Sequence, residues 1–195
     1  MNGKQLKNSI LQWAIQGKLV PQDPNDEPAS VLLERIRAEK ARLVKEKKIK
    51  KDKNESIIYR GEDNSYYEKF LATREVKCID EEIPFEIPAT WEWCRLLSIV
   101  SLLGDGIHGT PEYSEGGSVY FINGNNLFDG QILIKPDTKT VSKEEAVKHS
   151  RLLNESTVLV SINGTIGNIA FYSGENVILG KSACYFNLLN GIERK

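Results

Sequence analysis

At about Lys53 the spacing of apolar residues changes period, and that change restricts this chain to a helical segment followed by a β-rich one. Ahead of it, Leu6, Ile10, Leu11, Ala14 and Ile15 recur at helical spacing over residues 4–16, and Gly17 is placed to close the helix in a left-handed cap. Pro21 and Pro24 forbid its continuation. Asp26 and Glu27 followed by Pro28 mark a second helix start. From there Leu32, Ile36, Leu43 and Val44 draw a narrow apolar stripe through a charged segment reaching about Lys50, roughly 35 Å at 1.5 Å per residue. So narrow a stripe does not make a globular core helix; it suits one partner helix or a solvated edge. Leu32, Ile36 and Leu43 are the candidate partner-binding residues.

Beyond Lys53 the chain reads as short β-type runs at 56–59, 97–103, 119–122, 131–134, 158–162, 169–172, 177–179 and 184–188. Turn formers such as Gly116-Gly117, Asp129-Gly130, Asn163-Gly164 and Ser173-Gly174 separate them. One helix is expected at 142–153, with Ser142 as cap and Glu145 as its capping-box partner. The prolines of Ile83-Pro84-Phe85-Glu86-Ile87-Pro88, followed by Trp91-Glu92-Trp93, fix backbone angles and supply apolar faces that pin the start of the β domain. The expected fold class is α+β, an N-terminal helical arm followed by a β-rich domain with few helices. Its expected divisions are a helical region at 1–53, a linker with short strands at 54–82 and the β-rich domain at 83–195.

With 40% apolar and 27% charged residues the chain has an ordinary globular composition. No apolar run approaches the ~20 residues needed to span a bilayer, and the first residues lack a signal-peptide layout, so a cytoplasmic protein with no membrane partner is expected. Cys78, Cys94 and Cys184 stand far apart without a CxxC pair, which encodes neither a disulfide framework nor a zinc site. The net charge of -1 hides a segregation. Between Glu34 and Lys53 ten bases face four acids, and between Asn54 and Cys94 ten acids face four bases.

Gly104-Asp-Gly106-Ile-His-Gly109 has the spacing of a dinucleotide-binding turn, but Gly116-Gly117 and the run at 119 leave hardly one turn of helix behind it, so it reads as a glycine-rich surface loop. The run from Gly174 to Lys181 and Ser182 is one residue too long for a phosphate-binding loop; Lys181 reads as an exposed or phosphate-contacting lysine. Pro136-Asp137 resembles the start of a nuclease carboxylate motif, and only Glu193-Arg194-Lys195 downstream has the acid-x-lysine form, at the chain end. His108 and His149 as bases, or Cys184 as nucleophile, form no triad by spacing, and the NPPY-like tetrapeptide of amino-methylating DNA methyltransferases is absent. No cofactor and no catalytic residue is expected. Asn123, Asn125, Asn126, Gln131, Lys135, Lys139, Lys143, Lys148 and Arg151 cluster in the middle of the β region, where amides suit adenine edges and lysines suit guanine or phosphate. Polar loops are also ordinary in any globular protein.

The run from Leu6 through Trp13, Gly17, Pro21 and Pro24 to Ser30, continuing through Leu32, Leu33 and Ile36 to Lys40, resembles the helical conserved region of type I restriction specificity subunits. The segment from Ile83 to Pro88 with Trp91, Trp93 and Leu96 looks like the opening of that family's target recognition domain. Asp105 to Pro111 with Tyr113, and Gly164-Thr-Ile-Gly167, look like its internal motifs. The resemblance implies sequence-specific reading of double-stranded DNA, with His108, Thr110, Tyr113, Asn123, Asn125, Asn126, Lys135, Lys139, Lys148 and Lys181 on the DNA face. It also implies DNA methyltransferase subunits, a restriction and translocation subunit, and a second recognition domain or second copy as partners. A structural adaptor that binds protein only and a metal-dependent nuclease are the alternatives.

Overall fold

The computed structural model describes residues 2–194, and the chain divides into two units between Ile99 and Val100. In the first unit, helix α1 (Gly3–Ile15) opens on Asn2, whose side chain accepts from the Gln5 N–H while the Asn2 N–H donates to Gln5 Oε1. It closes as the sequence predicts. Gly17 has φ +65°, its N–H bonds to the Ala14 carbonyl, and the Lys18 N–H reaches the Trp13 carbonyl at 2.8 Å. A Cβ at Gly17 would lie 2.5 Å from Pro88 Cγ, so glycine is required for space as well as for conformation.

Helix α2 (Ala29–Lys45) is shorter than its stripe suggests. Lys47 turns left-handed at φ +58°, and the N–H groups of Lys47 and Lys48 close on the carbonyls of Val44 and Leu43. The same cap as at Gly17 forms here on a lysine, where no glycine announces it. Ile36 is only 2% exposed, and Lys40 is buried with its ammonium donating to the Leu97 carbonyl.

An antiparallel sheet follows, β1 (Ser56–Arg60), β2 (Tyr66–Phe70) and β3 (Val76–Cys78), in the order β1-β2-β3. Of these, sequence periodicity finds only β1, because β2 turns Glu68 inward where an apolar residue is expected. That carboxylate is buried and accepts from Ser56 Oγ at 2.5 Å and from both Arg95 Nε and Nη2; the same guanidinium meets Glu82 at 2.8 Å. Arg95 holds Glu68 below the usual carboxylate range. Glu82 ends a 3-10 turn, Asp80–Glu82. The segment 83–99 belongs to this unit and ends in a helical turn, α3 (Leu96–Ile99), so the strand expected from 97 starts only at Val100.

The second unit carries β4 (Val100–Asp105), β5 (Val119–Ile122), a 3-10 turn (Gly124–Asn126), β6 (Leu127–Phe128), β7 (Gln131–Ile132) and β8 (Thr140–Val141). After these come α4 (Lys143–His149), β9 (Thr157–Ser161), β10 (Ile169–Phe171), β11 (Val177–Leu179) and β12 (Ala183–Leu188). Four strands form a sheet in the order β10-β9-β12-β4, three form β11-β5-β8, and β6-β7 is a hairpin turned by Asp129 and Gly130, both left-handed. Along β12 buried and half-buried residues alternate from Ala183 to Asn187, and Tyr185 joins Ile122, Leu127, Leu159, Ala170, Leu179 and Ala183 in the main core. A second cluster, Ile107, Val119, Val141, Ala146 and Ile178, packs α4 onto β11 and β5.

Helix α4 starts at Ser142 as expected, its Oγ accepting from the Glu145 N–H, but ends at His149 because Ser150 is extended. The return bond of a capping box does not form: Glu145 Oε1 accepts instead from the Glu112 N–H at 3.0 Å. Among the described residues, four helices and twelve strands make an α+β protein of β-rich character. Among the described residues, no helix is long and apolar enough to cross a membrane.

Candidate nucleic-acid interface

The loops that leave β4, β5, β9 and β11 meet at one end of the second unit. The Gly106 N–H bonds to the Ala183 carbonyl and the Ile107 N–H to the Leu179 carbonyl; a Cβ at Gly106 would stand 2.2 Å from the Gly180 oxygen. Ser182 is the hub. Its hydroxyl donates to Asn123 Oδ1 at 3.0 Å and accepts from the Gly124 N–H at 2.9 Å, while its carbonyl accepts from the Ile162 N–H.

Beside this hub lies a concavity of about 150 Å³ lined by Tyr113, Phe121, Asn123, Asn125, Asn126, Lys135, Asp137, Thr138 and Lys139. Tyr113 is exposed and leans on Phe121, ring centroids 5.9 Å apart, and its loop is fastened by Ser114 and Thr140, which exchange two hydrogen bonds. The three asparagines differ in what they do. Asn126 is buried, its Oδ1 accepting from the Asn123 N–H and its Nδ2 donating to the Leu133 carbonyl and Thr138 Oγ1. Asn123 Oδ1 accepts from Ser182. Asn125 is exposed, and only its backbone carbonyl is engaged, by Lys135 Nζ at 2.7 Å. Lys139 is exposed at the same rim. Five residues singled out from sequence, Tyr113, Asn123, Asn125, Lys135 and Lys139, thus share one concavity with Asn126 as its frame.

The other candidates lie apart from it. His108 and Thr110 are exposed on the loop after β4, His108 Nε2 2.6 Å from Asp105 Oδ2, and this pairing holds the Asp105 carboxyl below its usual range. Lys181 is exposed next to Ser182. Lys148 lies on α4, its ammonium 2.7 Å from Glu145 Oε2. That lysine and the Glu112 N–H bring the Glu145 carboxyl down to about 2. Sequence reading did not single out Ser182 and Thr138, which organise the asparagine turn; their signal was a hydroxyl beside a turn, too common to stand out.

Around the glycine-rich loop no helix follows Gly109, and the run from Gly174 to Ser182 is interrupted by β11, so neither forms a helix-capped phosphate cradle. Burial pushes the Cys184 thiol up, away from the thiolate a nucleophile needs. Among the described residues no three His, Cys, Asp or Glu side chains are grouped to hold a metal ion. Of the expected partner-binding residues, Ile36 is covered by its own unit, while Leu32 and Leu43 stay half-buried. Helix α1, in contrast, buries none of its side chains: Leu6, Ile10, Leu11, Trp13 and Ile15 are all exposed.

The loops of the second unit present an amide, a tyrosine and two lysines around one small concavity. No family model matches the chain. It is 39% identical over 163 residues to the type I restriction enzyme EcoAI specificity subunit of Escherichia coli, which is 84% of this chain and 24% of that protein. To the EcoEI specificity subunit of the same organism it is 34% identical over 161 residues, 82% of this chain and 24% of that protein. The chain belongs to the family of type I restriction specificity subunits and spans about a quarter of the length of the curated relatives it matches.

Proposed function

We propose that this chain reads one part of a DNA target for a type I restriction-modification complex, and that methyl transfer, translocation and cleavage belong to partner subunits. The single observation that carries this reading is the concavity joining Tyr113, Asn125, Lys135 and Lys139 from separate loops, with Asn125 presenting an unengaged amide. An amide meets the adenine edge with a donor and an acceptor at once, which discriminates by ~1–3 kcal/mol, while a lysine on phosphate strengthens binding to every sequence alike. His108, Thr110 and Lys181 extend the surface along the rim, and Lys148 reaches the backbone farther out. The protein acts in the cytoplasm, without a cofactor of its own, together with a second recognition domain and the translocating subunit.

Assembly with a methyltransferase subunit is assigned to the helical segment. Leu32 and Leu43 remain half-buried, and the uncovered apolar face of α1 from Leu6 to Ile15 adds a larger surface than the α2 stripe offers. The relatives are subunits by name, so a covering subunit is the occupant this face fits. Competition binding by the assembled complex against a randomised half-site library tests the reading: a preferred sequence supports it, and equal affinity for all sequences at moderate salt overturns it.

A further inference from the structure

The loop from Ile162 to Gly167 joins β9 to β10, and several of its backbone groups are hydrogen-bonded. The Gly167 N–H donates to the Ser161 carbonyl at 2.9 Å, the Ile166 N–H to the Gly164 carbonyl at 3.1 Å, and the Asn168 N–H to Ser161 Oγ at 2.9 Å. The Ser161 hydroxyl in turn donates to the Thr165 carbonyl. Gly164 and Gly167 are both left-handed, at φ +76° and +88°, and open space surrounds them. What this frame holds up is Ile166, 78% exposed, the most exposed large apolar side chain described. An isoleucine on a slack loop folds down onto the surface; here two reversed residues and a ring of backbone bonds keep it out.

Its surroundings identify the ligand. A Cβ at Gly124 would lie 2.8 Å from Ser161 Cβ and 3.4 Å from the Asn163 carbonyl, so the turn that bears Asn125 abuts the base of this loop. Ser182, which bonds to Ile162, is preceded by exposed Lys181. Ile166, with the partly exposed Ile162 at the base of the same loop, makes an apolar tip beside the turn that bears Asn125 and the strand end that bears Lys181, smaller than the apolar patches that protein partners cover. It matches a DNA major groove, where polar base edges and phosphates surround one apolar feature, the C5-methyl group of thymine.

Resting on the DNA-recognition reading above, we infer that Ile166 packs against a thymine methyl group in the half-site and is a specificity-determining residue. The test uses the assembled complex with the parent chain or Ile166→Ser, on the half-site selected from randomised DNA. Each thymine is replaced in turn by deoxyuridine, which removes the methyl alone. At one position deoxyuridine weakens the parent by about fourfold, the worth of one buried methyl. Ile166→Ser weakens binding to the thymine site by at least as much, without changing the salt slope, and is insensitive to that same deoxyuridine; Ile166→Val retains most of the affinity. The inference is overturned if Ile166→Ser binds like the parent, or if no thymine replacement distinguishes the two proteins. If the parent selects no sequence at all, the DNA-recognition reading fails first, a result the selection itself reports.

Discussion

Trp91 Nε1 donates a 2.8 Å hydrogen bond to Gln22 Oε1, and the amide of that glutamine donates to the Gly17 carbonyl at 3.0 Å. Trp91, just after the proline-rich segment, therefore holds the end of α1 through Gln22, 69 residues before it in sequence. The expectation that Trp91 braces the start of the β domain is thereby changed: it braces the first helix, and Pro88 fills the space that glycine leaves open at position 17.

Gly17→Ala should destabilise the first unit by about 1–3 kcal/mol, because it combines a left-handed strain with a contact that displaces Pro88. Gln22→Ala removes the bridge alone and should cost about 1 kcal/mol. Urea unfolding followed by tryptophan fluorescence measures both. Equal effects from the two variants would mean that the space at Gly17 contributes nothing.

Arg95→Ala should destabilise the first unit by about 2 kcal/mol, less than for a fully buried pair because the guanidinium is partly exposed while Glu68 is not. Arg95→Ala combined with Glu68→Gln should recover part of the loss, since no buried carboxylate is then left without its cation. Denaturation midpoints of the single and double variants decide the point.

Glu145 gives the second unit a defined acid limit. Its folded carboxyl titrates at about 2, against an ordinary value of about 4.3 in the unfolded chain. The folded pKa is the lower of the two, so the stabilisation is fully present above about pH 5 and lost as the pH falls toward 2. Glu145→Gln should flatten the stability profile in that window and leave the slope above pH 6 unchanged. Thermal unfolding from pH 2 to 7 reads this directly.

The two neighbouring asparagines should separate folding from recognition. Asn126→Ala breaks three hydrogen bonds of a buried amide and should cost about 1–3 kcal/mol of stability. Asn125→Ala should leave stability within about 0.5 kcal/mol and relax the half-site preference. Lys139→Ala should instead reduce the salt slope of DNA binding by about one counterion. Unfolding curves and competition binding on the same preparations make the comparison; unchanged sequence preference in Asn125→Ala would remove that residue from the reading surface.

Leu6→Asp with Ile10→Asp places two charges on α1, none of whose side chains is buried, so the fold should tolerate them. Co-purification with the methyltransferase subunit should be lost. Retention at parental yield would show that this face is not the assembly surface.

The period change near Lys53, the Gly17 cap, the Ser142 cap and the Asp129-Gly130 turn were legible in the sequence because each rests on local backbone chemistry within a few residues. So was the family, carried by extended runs of residues. Other features depended on groups distant along the chain. β2 escaped notice because Glu68 points inward, and only Arg95 and Ser56, 27 and 12 residues away, make that burial affordable. The α2 stripe suited a partner seam or a solvated edge; in the fold Ile36 is buried while Leu32 and Leu43 stay half-buried, and the exposure of the apolar residues of α1 was not legible. Three asparagines of one type within four positions were indistinguishable by sequence. Tertiary contacts alone assigned Asn126 to the frame and Asn123 to Ser182, and left Asn125 open, because a side chain's availability depends on which donors and acceptors the rest of the fold brings within reach.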